Sequence, residues 1–290
     1  MTNTCNICPR NCNADRNKKC GFCHASEKMM VAHFGLHFGE EPCISGTAGS
    51  GTIFFCNCNL KCKFCQNDIL RDGSIGKEIS VLRFVEIVKQ LEAMGANNIN
   101  LVSPMHYVPQ IVEAFKIYRP KIPVVYNTNA YEKIETLKQI APFVDVFLPD
   151  LKYFDSELSG RLSLCKNYFE VASKAILFMR QQKPVDVFEN GLMKSGVIVR
   201  HLVLPNHTND SIKIVDFINQ NLNNTIVSLM SQYVPYGEAK NMPDINRTLK
   251  PIEYNKVLRH LEKNHTGQIY CQDPTSATEE YIPHWNPSAV

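Results

Sequence analysis

The sequence lacks the long apolar runs of a membrane protein and the apolar amino-terminal stretch of a secreted one. A membrane-spanning helix needs about 20 successive apolar residues, whereas the mean hydropathy of this chain is −0.20. The opening segment 1–5, MTNTC, is polar, so no signal peptide is predicted. We therefore expect a cytoplasmic protein without a membrane partner.

A strong excess of charge of one sign is also missing. The chain has 31 Lys and Arg residues against 28 Asp and Glu, a net charge of +3 at pH 7. Proteins that bind nucleic acids concentrate basic residues on one face or stripe, and here these residues are spread out, so no nucleic-acid partner is expected. The glycine-rich segment 46–51, GTAGSG, lacks the Gly-Lys-Ser/Thr ending of a phosphate-binding loop and is interpreted as an approach to a strand.

Cysteine, in contrast, is abundant. The chain has 12 cysteines, and all but two of them precede residue 66. Such a density indicates a disulfide framework in a short secreted chain. This chain is 290 residues long and shows no export signal, so metal or cluster ligation is the better prediction.

Strand-like apolar runs alternate with helical patterns from about residue 46. The six runs are 51–55, 99–102, 123–126, 144–148, 197–203 and 226–230. A helix is predicted after the first run, with Ser80 as its N-cap and Gly95 after its end. Strand-helix units in series imply parallel strands with right-handed crossovers. An open doubly wound sheet and a complete or partial barrel both fit this pattern.

A cysteine-rich segment with little apolar periodicity precedes these units. A small unit with so few core-forming residues usually needs disulfides or a bound metal for its stability. We therefore predict two domains, a metal- or cluster-binding head over residues 1–45 and an α/β core domain over residues 46–290.

The head contains five cysteines, which suggest a second metal site. Cys5-x2-Cys8 and Cys20-x2-Cys23 resemble the two knuckles of a zinc ribbon, and Cys12 offers a fifth thiolate. Clustered thiolates suit an auxiliary iron–sulfur cluster equally well. A zinc ion would have a structural role or would dock a partner, whereas a second cluster could relay electrons. The third alternative is that these thiols bind no metal.

The most informative motif directly follows the first run. Cys58-x3-Cys62-x2-Cys65 offers three thiolates, whereas ordinary electron-transfer cubanes use four cysteines. Three ligands leave one iron open to chelate the amino and carboxylate groups of S-adenosylmethionine (SAM). An electron passed into the sulfonium then yields a 5′-deoxyadenosyl radical. Zinc sites favour paired Cys-x2-Cys units, so this spacing fits zinc poorly, and the nearby Cys56 is interpreted as a bystander.

With this motif the chain resembles the radical SAM superfamily, and more closely the pyruvate formate-lyase activating enzyme family. Within that family it is most similar to the activase branch, whose physiological substrate is not established. Besides the cysteines, the matching segments are 5–12, 49–55, 66–67, 126–129, 148–153, 200–206 and 230–233. The resemblance covers nearly the whole chain and implies a partial (β/α)6 TIM-like barrel.

The resemblance also implies which residues bind the cofactor. Phe64 occupies the position whose backbone abuts the adenine, and Asp150 and Lys152 match an Asp-x-Lys element that holds the methionine part. Lys152 could neutralise a carboxylate. These residues fall just after apolar runs, and the carboxyl ends of parallel strands are where such folds place their chemistry.

Three further candidates depart from the family pattern or are less specific. Ser103 stands in a loop that, in the family, usually offers a Gly-Gly-Glu-like element to the methionine amino group of SAM. That element is missing here, so the contact with the amino group would pass to Ser103 or to backbone carbonyls. Asn127 replaces an Asp, so the cation bound near that position in activating enzymes is not expected here. His201, at the end of the fifth run, is a candidate for contact with cofactor or substrate.

The function implied by the resemblance is activation of a glycyl-radical protein. A [4Fe-4S] cluster and SAM would be the cofactors, and an electron donor such as flavodoxin or ferredoxin would reduce the cluster. One alternative is a radical enzyme that modifies another peptide or a small metabolite. The other, from a different class, is a non-catalytic iron–sulfur or zinc module that docks partners.

Overall fold

The computed structural model describes residues 4–18, 20–71, 73–272 and 290, which form one mixed sheet flanked by helices. The strands are β1 (Met29–His37), β2 (Ser50–Phe55), β3 (Lys77–Ile79), β4 (Ile99–Val102), β5 (Val124–Thr128), β6 (Val146–Pro149), β7 (Val187–Glu189), β8 (Leu192–Leu202), β9 (Ile226–Met230) and β10 (Ile269–Cys271). The helices are α1 (Pro42–Ser45), α2 (Val81–Ala93), α3 (Val108–Ile117), α4 (Ile134–Ile140), α5 (Ser156–Ser163), α6 (Tyr168–Gln182), α7 (Thr208–Asn221) and α8 (Pro251–Glu262).

The parallel part of the sheet confirms the predicted fold class. Its strands run in the order β10-β9-β8-β6-β5-β4-β2, and helices connect successive members. The six predicted runs are β2, β4, β5, β6, β8 and β9. Within the described residues β3 and β10 end the sheet and do not pair with each other, so the barrel is partial rather than closed.

Local signals explain where the first connecting helix begins and ends. The Ser80 hydroxyl accepts a hydrogen bond from the Arg83 backbone N–H at 3.1 Å, as predicted for an N-cap. Gly95, with a φ of 82°, follows the helix in the left-handed region that glycine tolerates. The helix buries one apolar stripe, and its members are Phe84, Val85, Ile87, Val88 and Leu91.

Both faces of the parallel strands are covered, which explains their continuous apolar sequences. The outer face packs against the helices in the main hydrophobic core. On the inner face, Cys43 and Ile44 of the short helix α1 pack with side chains that include Val125, Leu148 and Ile198. The segment before β2 therefore fills part of the barrel interior, directly beneath the ends of the strands.

The region assigned to the head contributes a strand that the sequence did not reveal. β1 pairs antiparallel with β2 on one side and with β3 on the other. Its register shifts between Val31 and His33, and such an irregularity obscures the alternation by which a strand is recognised. Residues 29–37 thus join the sheet, while the division at residue 45 stays a prediction. Residues 273–289 of the predicted core domain lie outside the described residues.

No helix in the described part of the chain combines the length and apolar character required to cross a membrane.

Candidate active site

A cavity of about 590 Å³ opens where the parallel strands end. Its size is within the range of small-molecule and cofactor sites. Eight of the predicted residues line it, and they are Cys58, Cys62, Phe64, Cys65, Ser103, Asn127, Asp150 and Lys152. These residues come from the carboxyl ends of four different strands, β2, β4, β5 and β6, and parallel strands end at a common edge of the sheet.

The loop that carries the three cysteines is held in place by buried polar contacts. Asn57, with a φ of 75°, turns the chain out of β2 and donates from its amide to the Tyr107 hydroxyl at 2.9 Å. The buried Asn59 amide donates to the Tyr131 carbonyl at 2.7 Å. These two asparagines were not singled out from the sequence, because asparagine in a loop usually faces solvent.

All three sulfurs accept hydrogen bonds, that of Cys65 from the backbone of Asn67. Cys58 Sγ lies 3.4 Å from both the Leu60 backbone nitrogen and the Asn129 side-chain amide nitrogen. The Ser163 hydroxyl donates to Cys62 Sγ at 3.0 Å. Hydrogen bonds to ligating sulfurs tune the reduction potential of an iron–sulfur cluster. The surroundings of the thiols therefore suit sulfur ligands that carry negative charge.

The chemistry of the donor set fits a cubane cluster better than a single ion. Burial raises the pKa of the Cys58 and Cys65 thiols, the latter to about 12, so ligation must displace their protons. In residues 4–18, 20–71, 73–272 and 290, no group of three or more His, Cys, Asp or Glu side chains is arranged around one metal-ion position. Three sulfurs that serve three different irons of a cubane need not converge on one point.

A buried charge network forms one wall of the cavity. Arg200 Nε donates to Asp150 Oδ1 at 2.9 Å, and Lys152 Nζ donates to Asp150 Oδ2 at 2.6 Å. The other Arg200 nitrogens reach Glu40 at 3.2 Å and the Asn127 side-chain oxygen at 2.6 Å. Burial opposes the ionisation of Asp150, but Arg200 and Lys152 outweigh it and lower the pKa of this carboxyl. Lys152 is therefore a positioned cation at the cavity wall.

Ser103 and Phe64 line the cavity in different ways. Ser103 has a φ of 55° and its backbone N–H donates to the Asn127 carbonyl at 2.9 Å, so this loop turns sharply at the strand end. The Phe64 ring is buried and packs edge-on against Tyr233, with ring centroids 5.7 Å apart. The side chain of Phe64 is thus part of an aromatic cluster, and the proposed role of its backbone stays a prediction.

His201 does not line the cavity. It is buried, and its Nδ1 lies 2.7 Å from the Leu151 carbonyl oxygen. Successive residues of a strand face opposite sides of the sheet, so Arg200 points inward and His201 points toward the helices. Burial lowers the pKa of His201 to about 4, so it is neutral at pH 7. The structure gives it a packing role, and its contact with a cofactor stays a prediction without support from the geometry.

Two cavity residues, Glu40 and Glu41, were missed by sequence reasoning. Glu40 accepts hydrogen bonds from the Asn100 and Asn127 amides, each at 3.1 Å, besides its ion pair with Arg200. Glu41 is also buried, and burial raises its pKa. Both lie between β1 and helix α1, far in sequence from the carboxyl ends of the parallel strands β4 to β9, and no motif marks them.

The head cysteines differ in burial. Cys8 and Cys23 are buried, Cys5 is partly buried, and Cys12 and Cys20 are exposed. Among the described residues no group of three or more such side chains is placed to hold a metal ion, so the second site, for zinc or for a cluster, stays a prediction.

A buried carboxyl next to the site leads to a pH prediction. Glu132 accepts hydrogen bonds from the Tyr126 hydroxyl at 2.8 Å and from the Thr128 hydroxyl. Burial raises its pKa from 4.5 to about 7. The folded state therefore keeps a proton that the unfolded state releases, so stability is expected to fall as the pH rises from 4.5 to about 7.

One pKa unit corresponds to 1.36 kcal/mol, so the free energy of unfolding is expected to fall by about 3 kcal/mol over this pH range. Glu132→Gln is expected to remove that part of the pH dependence in urea unfolding measured at several pH values. Glu157→Gln, at an exposed carboxylate on α5, is the control and should leave the dependence unchanged. Equal pH dependence in the wild type and in Glu132→Gln would contradict the assignment.

Comparison with known proteins agrees with this geometry. A family model described as the Radical SAM superfamily matches residues 52–218. The uncharacterized protein MJ0674 of Methanocaldococcus jannaschii is 35% identical over 275 residues, which cover 92% of this chain and 76% of that protein.

Solved structures show the same fold at low sequence identity. SuiB of Streptococcus suis bound to S-adenosylmethionine aligns with a TM-score of 0.53 and 15% identity, over 74% of this chain and 48% of SuiB. SuiB bound to its precursor peptide SuiA aligns with a TM-score of 0.52 and 16% identity, over 74% of this chain and 46% of SuiB. The chain therefore spans about half the length of SuiB. A domain of pyruvate-formate lyase-activating enzyme from Bacteroides vulgatus reaches a TM-score of only 0.39, which leaves the activase branch untested.

The chain belongs to the Radical SAM superfamily. It is accordingly an enzyme of SAM-dependent radical chemistry, and its family implies a [4Fe-4S] cluster and SAM as cofactors.

Proposed function

We propose that Cys58, Cys62 and Cys65 ligate the [4Fe-4S] cluster and that SAM binds beside them in the cavity. One observation carries this proposal: the three cysteines line the same cavity as the Asp150–Lys152 pair. When bound, the cluster and SAM supply a 5′-deoxyadenosyl radical that can remove an unactivated hydrogen. The protein supplies position, charge and exclusion of water.

The residues around the cavity have separate tasks in this proposal. Lys152 holds the methionine carboxylate, because its ammonium faces the cavity and the carboxylate of Asp150 keeps it protonated against the effect of burial. Arg200 holds Asp150 in turn, so that Lys152 stays in place. The rings of Phe64 and Tyr233 cover the adjoining wall with apolar surface and limit access of water.

The proposal is tested by anaerobic reconstitution with iron and sulfide, followed by reduction in the presence of SAM. Formation of 5′-deoxyadenosine supports it. A fully assembled cluster that cleaves no SAM would overturn it, and would favour a non-catalytic module that docks partners.

Removal of the Lys152 charge is expected to weaken the binding of SAM. Lys152→Met keeps most of the length of the side chain but leaves the methionine carboxylate without its cation. We expect the dissociation constant of SAM to rise about 10- to 100-fold, by analogy with the loss of a charge-assisted hydrogen bond of about 1.5–3 kcal/mol. Equilibrium binding to the reconstituted protein measures it.

Lys166→Met is the matched control, because Lys166 is exposed and pairs with Glu157 outside the cavity. Unchanged affinity in Lys152→Met, with the cluster intact, would place the methionine part elsewhere.

We further propose that the radical is transferred to a glycine of a partner protein, with flavodoxin or ferredoxin as the electron donor. The support is the similarity of segments 126–129, 148–153 and 200–206 to activating enzymes. Deuterium that moves from labelled glycine in a co-expressed partner into 5′-deoxyadenosine would support activation. Absence of transfer with every candidate partner, while SAM is still cleaved, would contradict it.

The second candidate is a radical enzyme that modifies another peptide or a small metabolite. A protein of the same fold, SuiB, has been crystallised with its precursor peptide SuiA. Label transfer from a peptide or metabolite, instead of from a glycyl-radical protein, would favour this candidate.

A further inference from the structure

One carboxyl group on the cavity wall is left incomplete by the network described above. Glu41 lines the cavity and is 9% exposed. Its Oε2 atom is buried and meets no hydrogen-bond partner in the part of the chain that the structure describes. A buried carboxyl oxygen without a hydrogen bond has lost its hydration and gained nothing in return. Such an atom, on the wall of a cavity, indicates a place where a bound group supplies the missing partner.

The neighbouring residue, Glu40, provides the comparison. Its Oε1 accepts from the Asn100 and Asn127 amides, each at 3.1 Å, and its Oε2 pairs with Arg200 at 3.2 Å. Both oxygens of Glu40 are thus used within the protein, which gives this residue a structural role. Glu41 differs from it in keeping one oxygen for a ligand.

The charges on the cavity wall are also unequal. Three carboxyl groups face two Lys and Arg cations among the described lining residues, and the set is Glu40, Glu41, Asp150, Lys152 and Arg200. Arg200 pairs with Glu40 and Asp150, and Lys152 pairs with Asp150. Burial raises the pKa of Glu41, so a proton can neutralise it while no cation is bound. A cationic ligand would take the place of that proton.

The position of Glu41 separates it from the proposed site of the SAM carboxylate. Four lining residues are neighbours in register across β6 to β10, and they are Asp150, Arg200, Ser228 and Tyr270. Adjacent strands lie about 4.8 Å apart, so Ser228 is about 10 Å from Asp150 along the sheet. Glu41 lies at the far end of this row, because Cys43 after it belongs to the core cluster that Tyr270 packs against. The Ser228 hydroxyl also donates to the Glu41 carboxyl group.

We propose that Glu41 recognises the substrate and binds a primary ammonium group on it. This inference rests on the proposed function, to which it adds the chemical class of the substrate. One free oxygen suits the point charge of an ammonium group, whereas a guanidinium pairs with both oxygens of a carboxylate. The ammonium group belongs either to a lysine side chain of a peptide or partner protein, or to a small amine.

The test uses the full chain, reconstituted with iron and sulfide and saturated with SAM, and two probes that differ in charge. In calorimetric titrations, butylamine is expected to bind at least about 10-fold more tightly than butan-1-ol. Glu41→Gln should abolish this preference, and Glu41→Asp, which keeps the charge, should retain part of it. Glu170→Gln, at an exposed carboxylate on α6, is the control and should keep all of it.

The source of the ammonium group is distinguished by a third probe, Nα-acetyl-lysine methylamide. Tighter binding of this probe than of butylamine would assign the group to a peptide, and weaker binding would assign it to a small amine. Either result supports the recognition of an ammonium group.

Two further measurements separate recognition from a structural role and from SAM binding. In urea unfolding of the cluster-free protein, Glu40→Gln should lower the midpoint, whereas Glu41→Gln should not, because its free oxygen has no bond to lose. The dissociation constant of SAM should be the same in Glu41→Gln and in the wild type. A wild type that cleaves no SAM would refute the proposed function, while the amine titration could still be read.

Four results would each overturn the inference. They are equal affinity of the wild type for butylamine and butan-1-ol, binding of neither probe, an unchanged preference in Glu41→Gln, and weaker SAM binding in that variant. The last result would assign the free oxygen to the amino group of SAM. A loss of stability in Glu41→Gln equal to that in Glu40→Gln would likewise contradict it, since the carboxyl would then be satisfied within the protein.

Discussion

The Cys62→Ala variant is expected to lose SAM cleavage by more than about 100-fold, together with most of its iron. Loss of a group that hydrogen-bonds to a metal ligand already lowers metal affinity or activity by about 10- to 100-fold, and Cys62 is proposed to be a direct ligand. Its sulfur also accepts the hydrogen bond from Ser163, so the replacement disrupts the loop at its contact with α5. The measurement is 5′-deoxyadenosine formed per chain after anaerobic reconstitution, with iron and sulfide analysed in the same samples.

Cys56→Ala provides a matched control two residues before Cys58. Cys56 is fully buried, does not line the cavity, and packs next to Gly76. The control should retain iron and SAM cleavage, with at most a modest loss of stability from the missing sulfur. If Cys56→Ala lost the cluster while Cys62→Ala kept it, the ligand set would be wrong. Zinc in place of iron in the wild type would refute the cluster assignment altogether.

Replacement of Arg200 by Met is expected to lower the free energy of unfolding by about 3–5 kcal/mol. Arg200 is the partner of both Asp150 and Glu40, and removal of one side of a buried ion pair leaves uncompensated charge. The side chains concerned are 10–20% exposed, so solvent screens them little. Urea unfolding of the cluster-free protein measures the change.

Lys174→Met is the control for this loss of charge. Lys174 forms an exposed i,i+4 pair with Glu170 on α6, and such pairs contribute about 0.3–0.5 kcal/mol. Arg200→Lys should recover part of the stability, since one ammonium can pair with Asp150 but cannot reach Glu40 and Asn127 as well. If Arg200→Met were as stable as Lys174→Met, the carboxylates would have to be protonated or solvated in the folded protein.

The six central strands could be predicted because both of their faces are buried. A parallel strand under helices has a continuous apolar sequence, so β4 and β9 were predicted with their observed bounds. The strands that were not predicted are β1, β3, β7 and β10. Three of these have only three residues, and the fourth, β1, contains a register shift. Short or irregular strands leave too little pattern to be recognised.

The same reasoning explains which parts of the site could be predicted. Residues that directly follow apolar runs, such as Cys58 and Asp150, were found because parallel strands end at a common edge. Glu40 was not found, since it meets Arg200 across 160 positions of sequence, and two adjacent glutamates look like a solvated loop. Arg200 and His201 are neighbours in one strand, so their side chains face opposite sides of the sheet and only Arg200 lines the cavity.

The contacts of Arg10 and Cys62 have a consequence for biosynthesis. Arg10 donates to the Leu164 carbonyl, 154 positions later in the chain, and Ser163 donates to Cys62 from 101 positions away. During synthesis Arg10 and the catalytic cysteines emerge before these partners, so the contacts with Ser163 and Leu164 cannot form until residue 164 has left the ribosome. The loop that carries the catalytic cysteines is therefore completed only once α5 has been synthesised, and we expect cluster insertion to follow that point.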